Sequence, residues 1–254
     1  MSGGMSGGGG GAAVLLAACD VGKSFGSLKA VDGVSMEVRR GEVFGLAGPN
    51  GAGKSTLFNL LTGIPIRPDT GKVIFDGQEI QHRSPRWIAK AGLKRTFQTE
   101  AVFESLTVME NVRVGSAYGG AGRAVRWAPA RCREALEVVE LGGDLDRPAD
   151  GLSLIDRKRL MIACALVSGP SLLLLDEPAA GLDPADQDAL IRLLSRIRGS
   201  GVTMVIIEHV LSVLEALADR MAVLDSGRII VTGGPAEVLS DPRVVEAYLG
   251  PGAA

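Results

Sequence analysis

The chain has 254 residues, a formal net charge of −2 and 46% hydrophobic residues, with only 4% of residues aromatic. That length suits one large domain or two small ones, with an aliphatic core. The charge balance argues against nucleic acid as a main partner. Cys19, Cys132 and Cys164 are too scattered for a structural zinc or a disulfide framework, as expected of a reducing cytoplasm.

Residues 1–11 are almost only Gly, Ser and Met, so a flexible tail is expected to about residue 13. Leu16-Ala17-Ala18-Cys19 has the form of a lipoprotein cleavage site. No Lys or Arg precedes Lys23, however, and the apolar stretch is short, so residues 14–21 are read as the first strand. No apolar run approaches bilayer-spanning length. A second strand over 30–38 follows a turn at Phe25-Gly26. Glu42 to Ala47 reads as a short apolar strand, and Leu57, Leu60 and Leu61 recur at helical spacing.

Between that strand and helix, residues 48–56 read Gly-Pro-Asn-Gly-Ala-Gly-Lys-Ser-Thr, matching G-x-x-x-x-G-K-[ST] without a mismatch. Such a loop binds a nucleoside triphosphate, because glycines let successive backbone N–H groups point at phosphate oxygens. Asn50, Gly51, Gly53, Lys54, Ser55 and Thr56 are the candidate contacts. Lys54 meets the β- and γ-phosphates, Ser55 offers its hydroxyl to Mg²⁺, and the helix adds the positive end of its dipole.

Gly71 to Phe75 suggests another strand, and Ser84-Pro85 suits the cap and first turn of a helix to about Ala91. Residues 104–168 are expected to be mainly helical. Val108, Val112 and Val114 mark one stretch, Gly119 to Pro129 is a loop, Ala130 to Leu141 has helical period, and Leu160 to Val167 is buried helix. Alternation then resumes: strand Leu172 to Leu175, a helix opened by Asp183-Pro184, strand Val202 to Ile207, helix Val210 to Ala218, strand Met221 to Leu224. Alternating strands and helices predict a parallel sheet covered on both faces, with the helical middle as an inserted subdomain of about 99–168.

Asp176-Glu177 ends a hydrophobic strand. The first carboxylate can hold Mg²⁺ and the second can orient and polarise an attacking water. His209 closes the next strand, where it can hydrogen-bond a γ-phosphate. Gln98, in Arg95-Thr96-Phe97-Gln98, is a neutral donor and acceptor at the entrance to the helical insertion.

Together these pieces resemble the ATP-binding-cassette (ABC) ATPases over residues 14–250. The resemblance implies a P-loop NTPase with a RecA-like parallel core, an antiparallel β subdomain and an inserted helical subdomain, binding ATP and Mg²⁺. It makes Phe25 an adenine-stacking aromatic and residues 48–56 the Walker A motif. Gln98 becomes the Q-loop glutamine, with a place at the metal, Asp176 the Walker B aspartate, and Glu177 the catalytic glutamate. Ala180-Gly181-Leu182-Asp183 becomes the D-loop, and His209 the switch histidine.

Gly92 to Gln98, Asp176 to Leu182 and Asp241 to Gly250 further resemble the branched-chain amino-acid importer ATPases. Urea and short-chain amide importers are closely similar. That resemblance implies transmembrane permease subunits, a second ABC ATPase subunit, expected to be a paralogue, and indirectly a periplasmic binding protein. It implies a cytoplasmic location, peripheral on the inner face of the cell membrane. A soluble nucleotide-dependent clamp or regulator and a lipopolysaccharide-type export ATPase are the alternatives. One stretch departs from the family. Where it has L-S-G-G-Q, this chain has Leu152-Ser153-Leu154-Ile155-Asp156, so both glycines and the glutamine are missing.

Overall fold

The computed structural model describes residues 12–98, 101–117 and 129–249. The expected tail as far as residue 11, and the expected loop from Gly119 as far as residue 128, lie outside the described residues. The chain opens with two long strands, β1 (Val14–Phe25) and β2 (Leu28–Arg39), paired antiparallel from Val14 opposite Arg39 to Phe25 opposite Leu28. Both exceed their predicted lengths. Bulges between Ala18 and Ser24 break the two-residue period, so the apolar pattern fades before the ladder does. Strand β3 (Val43–Ala47) follows and is buried throughout.

Helix α1 (Lys54–Thr62) runs from the phosphate-loop segment and stops at Gly63, whose left-handed backbone lets its N–H reach Asn59 O. Strands β4 (Thr70–Phe75) and β5 (Gln78–Glu79) complete a four-stranded antiparallel sheet in the order β2-β1-β4-β5. Helix α2 (Pro85–Ala91) has the cap its sequence predicts, with Ser84 Oγ accepting the Trp87 N–H. Strand β6 (Leu93–Arg95) was not anticipated, since three residues are too few to show a period.

The middle of the chain holds α3 (Val108–Ala117), α4 (Pro129–Val138), a 3₁₀ turn (Ala149–Gly151) and α5 (Leu154–Leu166). The three helices pack on one another through Val108, Val112, Cys132, Leu136, Leu160 and Ala163. The helix expected to reach Leu141 ends at Val138. Glu140 takes a positive φ, and Leu141 N–H turns back to Leu136 O.

The alternating part then follows: β7 (Leu172–Asp176), α6 (Pro184–Gly199), β8 (Thr203–Ile207), α7 (Leu211–Leu217), β9 (Arg220–Asp225), β10 (Arg228–Gly233), α8 (Pro235–Leu239) and α9 (Pro242–Leu249). Asp183 caps α6 by accepting the Asp186 N–H at 2.9 Å. The second sheet has the order β10-β9-β3-β8-β7-β6, parallel except for the β9–β10 edge hairpin.

Every central strand splits its side chains between two cores. Phe44, Leu46, Leu172, Leu174, Val205 and Ile207 face α1 and the antiparallel sheet. Val43, Leu173, Leu175, Met204, Ile206 and Val223 face the helical side. Burial on both faces explains why these strands read as continuous aliphatic runs. It also fixes the carboxyl ends of β3, β7 and β8 side by side, where open α/β sheets bind ligands.

Candidate nucleotide site

The loop leaving β3 needs glycine for definite reasons. A Cβ on Gly48 would lie 2.1 Å from Leu224 O, and one on Gly53 would lie 2.3 Å from Ala30 O. Both residues, and Gly51 at φ 82°, also occupy the left-handed region. Gly53 is the N-cap of α1 and no side chain caps that end. The first N–H groups of the helix are thereby kept for an anion.

Lys54 is 5% exposed and its ammonium donates to Gly48 O at 2.6 Å and Pro49 O at 2.9 Å. An ammonium has three donors, so one remains for a phosphate oxygen. Burial pulls the Lys54 pKa below its ordinary value, while the charges of Glu177 and Asp176 pull it back up.

These groups border a cleft of about 630 Å³, within the range of small-molecule sites. It is lined by Phe25, Asn50, Gly51, Gly53, Lys54, Ser55, Thr56, Gln98 and Glu177, nine of the eleven sequence candidates, and His209, the tenth, lies beside Glu177. Phe25 ends β1 half exposed, with Lys23 Nζ 5.7 Å from its ring centre, and is free to stack on a planar base. Leu28, Lys29, Ala30, Ser226 and Gly227 also line the cleft. They come from the start of β2 and from the β9–β10 turn, each remote in sequence from the phosphate loop.

Glu177 follows β7 with a φ of 46°, an uncommon conformation for a residue with a side chain. Such a backbone costs about 1–3 kcal/mol and clusters at functional sites. Gln98 Nε2 donates to Glu177 Oε2 at 2.9 Å, and His209 Nδ1 lies 3.7 Å from the same oxygen. Two candidates from separate strand ends therefore converge on the Glu177 carboxylate.

Asp176 is the eleventh candidate and it does not line the cleft surface. It is 3% exposed, and Arg95 Nη2 donates to its Oδ2 at 2.7 Å. Arg95 also reaches Asn59 Oδ1 at 2.7 Å and lies between the Phe58 and Phe97 rings. Sequence reading quoted Arg95 without giving it a role. Its partner is 81 residues away, beyond any local pattern. The second Asp176 oxygen, Oδ1, is buried without a hydrogen-bond partner. An orphaned carboxylate oxygen next to the phosphate loop is a fit for a divalent cation, a hard ion that takes oxygen ligands. Ser55 supplies a second oxygen from the cleft side.

Glu208 was also missed. It is wholly buried, accepts the Ala179 N–H at 2.6 Å, and leaves Oε2 without a partner. Burial pushes its pKa up against the lowering effect of the Ala179 and Val210 N–H groups.

At the altered stretch, Ser153 caps α5 by accepting the Asp156 N–H at 3.3 Å. Ile155 is 8% exposed and belongs to the helical core. It therefore turns inward. Leu154 lies near Gly181, where an added Cβ would meet its Cδ2 at 3.2 Å.

A glycine loop between a buried parallel strand and an uncapped helix, with a lysine inside it, defines a P-loop nucleotide-binding protein. The ABC transporter family profile matches residues 31–180, and a profile described as branched-chain amino acid ATP-binding cassette transporter matches residues 228–251. The chain is 36% identical over 243 residues to the probable branched-chain amino acid transport ATP-binding protein LivG of Methanocaldococcus jannaschii, covering 90% of this chain and 94% of that one. It is 37% identical over 240 residues to the high-affinity branched-chain amino acid transport ATP-binding protein BraF of Pseudomonas aeruginosa, covering 89% and 94%. Among solved structures, an ATP-binding cassette of an ABC transporter in its ADP conformation superposes with a TM-score of 0.86 at 34% identity, covering 94% of this chain and 99% of that one. The chain belongs to the ABC transporter family of ATP-binding proteins, in its branched-chain amino acid group, and is an ATPase. Among the described residues no helix is long and apolar enough to cross a membrane.

Proposed function

We propose that this chain is the ATP-hydrolysing subunit of an importer for branched-chain or related amino acids. The observation that carries the proposal is the approach of Gln98 and His209 to Glu177, which lines one cleft with the Lys54 loop. In this reading Phe25 stacks on adenine, and the loop N–H groups and Lys54 hold the phosphates. Mg²⁺, when bound, neutralises charge on the phosphate oxygens, with Ser55, Asp176 and Gln98 as its holders. Glu177 orients the attacking water and takes its proton. His209 hydrogen-bonds the γ-phosphate, and Gln98 reports its presence to the helical subdomain, residues 99–168.

The names of the relatives support the substrate class, and the segment matched by the branched-chain profile supports it independently of the nucleotide site. The chain acts on the cytoplasmic side against transmembrane permease subunits, paired with a second ATPase subunit and served by a periplasmic binding protein. Purified with those subunits, it hydrolyses ATP. Lys54→Ala loses ATP affinity and Glu177→Gln keeps affinity but not turnover. Turnover surviving both substitutions would refute the proposal.

A further inference from the structure

Helix α9 starts after Asp241, whose carboxylate accepts the Arg243 N–H at 2.9 Å and whose backbone oxygen accepts the Val244 N–H at 2.9 Å. Val244 is buried, and Tyr248, one turn on, falls on the same face. That face packs on the helical-side core, which leaves the phenol tip at the end of β3. There Tyr248 Oη accepts the N–H of Gly48 at 2.7 Å, across 200 residues of sequence.

Gly48 is the first residue of the phosphate loop and is held from both sides. Its N–H is bound by Tyr248, and its carbonyl by the Lys54 ammonium at 2.6 Å. Its φ of 149° and the close approach of Leu224 O leave no room for a side chain that could do the same work. Burial raises the Tyr248 pKa, with the Gly48 bond pulling the other way, so the phenol stays neutral at physiological pH.

We propose that Tyr248 is a positioning residue for the nucleotide site: its hydroxyl fixes the entry of the phosphate loop and makes the C-terminal helix part of triphosphate binding. The proposal rests on residues 48–56 being the phosphate loop. Tyr248 touches no nucleotide atom and acts only through the Gly48 peptide. A buried N–H that loses its acceptor is costly, and the loop then relaxes to find another.

The test uses the full chain and ATP with Mg²⁺. Tyr248→Phe keeps the ring and its packing but removes the oxygen. It is expected to weaken ATP binding by roughly 2- to 10-fold, the range of one neutral hydrogen bond. It is also expected to speed amide hydrogen exchange at Gly48, while kcat at saturating ATP stays near wild type. Leu249→Ala, a change at an exposed neighbour on the same helix, is expected to do neither. Unchanged affinity in Tyr248→Phe overturns the proposal. So does weakened affinity with unaltered Gly48 exchange, or an equal loss in Leu249→Ala, because either assigns the effect to helix packing. Lys54→Ala run alongside separates the two claims: if it too binds ATP normally, the loop assignment itself has failed.

Discussion

Lys54 and Glu177 carry the most direct consequences at the level of single residues. Lys54→Ala removes the loop's side-chain cation while the phosphate charges remain, so ATP affinity should fall by about 1.5–3 kcal/mol, read by equilibrium titration. Glu177→Gln keeps the shape of a side chain held by Gln98 but cannot take a proton. Turnover should drop by about 10²–10⁴-fold with ATP binding retained. Glu208 makes a pH prediction. Its folded pKa is raised, so above the ordinary carboxylate value the native state binds more protons than the unfolded one, and stability falls as pH rises through that window. Glu208→Gln should therefore raise the melting temperature at pH 7 and show a shrinking advantage towards pH 4. A pH-independent difference would contradict the buried-charge account. The residues with motif positions were legible in the sequence because each motif is contiguous and its chemistry is local. Arg95 and Tyr248 were not, because what they do depends on partners 81 and 200 residues away.

At the level of elements, the proposed function turns on the loop 101–107 and helix α5. Phe103 is 55% exposed although its backbone is fixed: its N–H donates to Asn111 Oδ1 at 2.8 Å, and its carbonyl accepts from Asn111 Nδ2 at 3.0 Å. Val108 from the same stretch is buried, so the segment divides between the core and an outward aromatic. Phe103→Asp should weaken assembly with the membrane subunits, measured by co-purification, and leave ATP binding and melting temperature intact. Loss of all three together would return Phe103 to the core. Neighbouring Glu104 pairs with Arg157 of α5 at 3.0 Å, linking this loop to the helix that carries the altered signature. Within that helix, Ile155→Gly should destabilise the fold by about 2–5 kcal/mol, because it empties a buried core position in the first turn. Leu154→Gly should cost far less. The sequence pattern placed α1, α2 and α6 well because caps and glycine stops mark their ends. It missed β6, β10, α8 and α9, which are short or half-buried and carry little periodic signal.

At the level of the whole molecule, two cores clamp one parallel sheet, and the nucleotide cleft sits where its strand ends meet the antiparallel sheet. The alternation of strands and helices announced that sheet. The four-stranded antiparallel layer came only from family resemblance, since its long strands carry bulges that blur their pattern. The family resemblance implies a head-to-tail pair in which the signature of one chain faces the phosphate loop of the other. This chain keeps Lys54, Glu177 and His209 but lacks both signature glycines, and the proposed function therefore predicts a paralogous partner whose signature is intact. The two sites should then hydrolyse at unequal rates, measured one at a time with the catalytic glutamate of the other silenced. Leu154→Gly, at a partly buried position on the edge of the core, should narrow the difference. The most direct test of the account is uptake by vesicles reconstituted with this chain, its partner ATPase, the membrane subunits and the binding protein. The account predicts that internal ATP drives accumulation of radiolabelled leucine, isoleucine or valine, and that Glu177→Gln abolishes it. ATP hydrolysis without uptake of any of the three, or uptake that persists in Glu177→Gln, would contradict it.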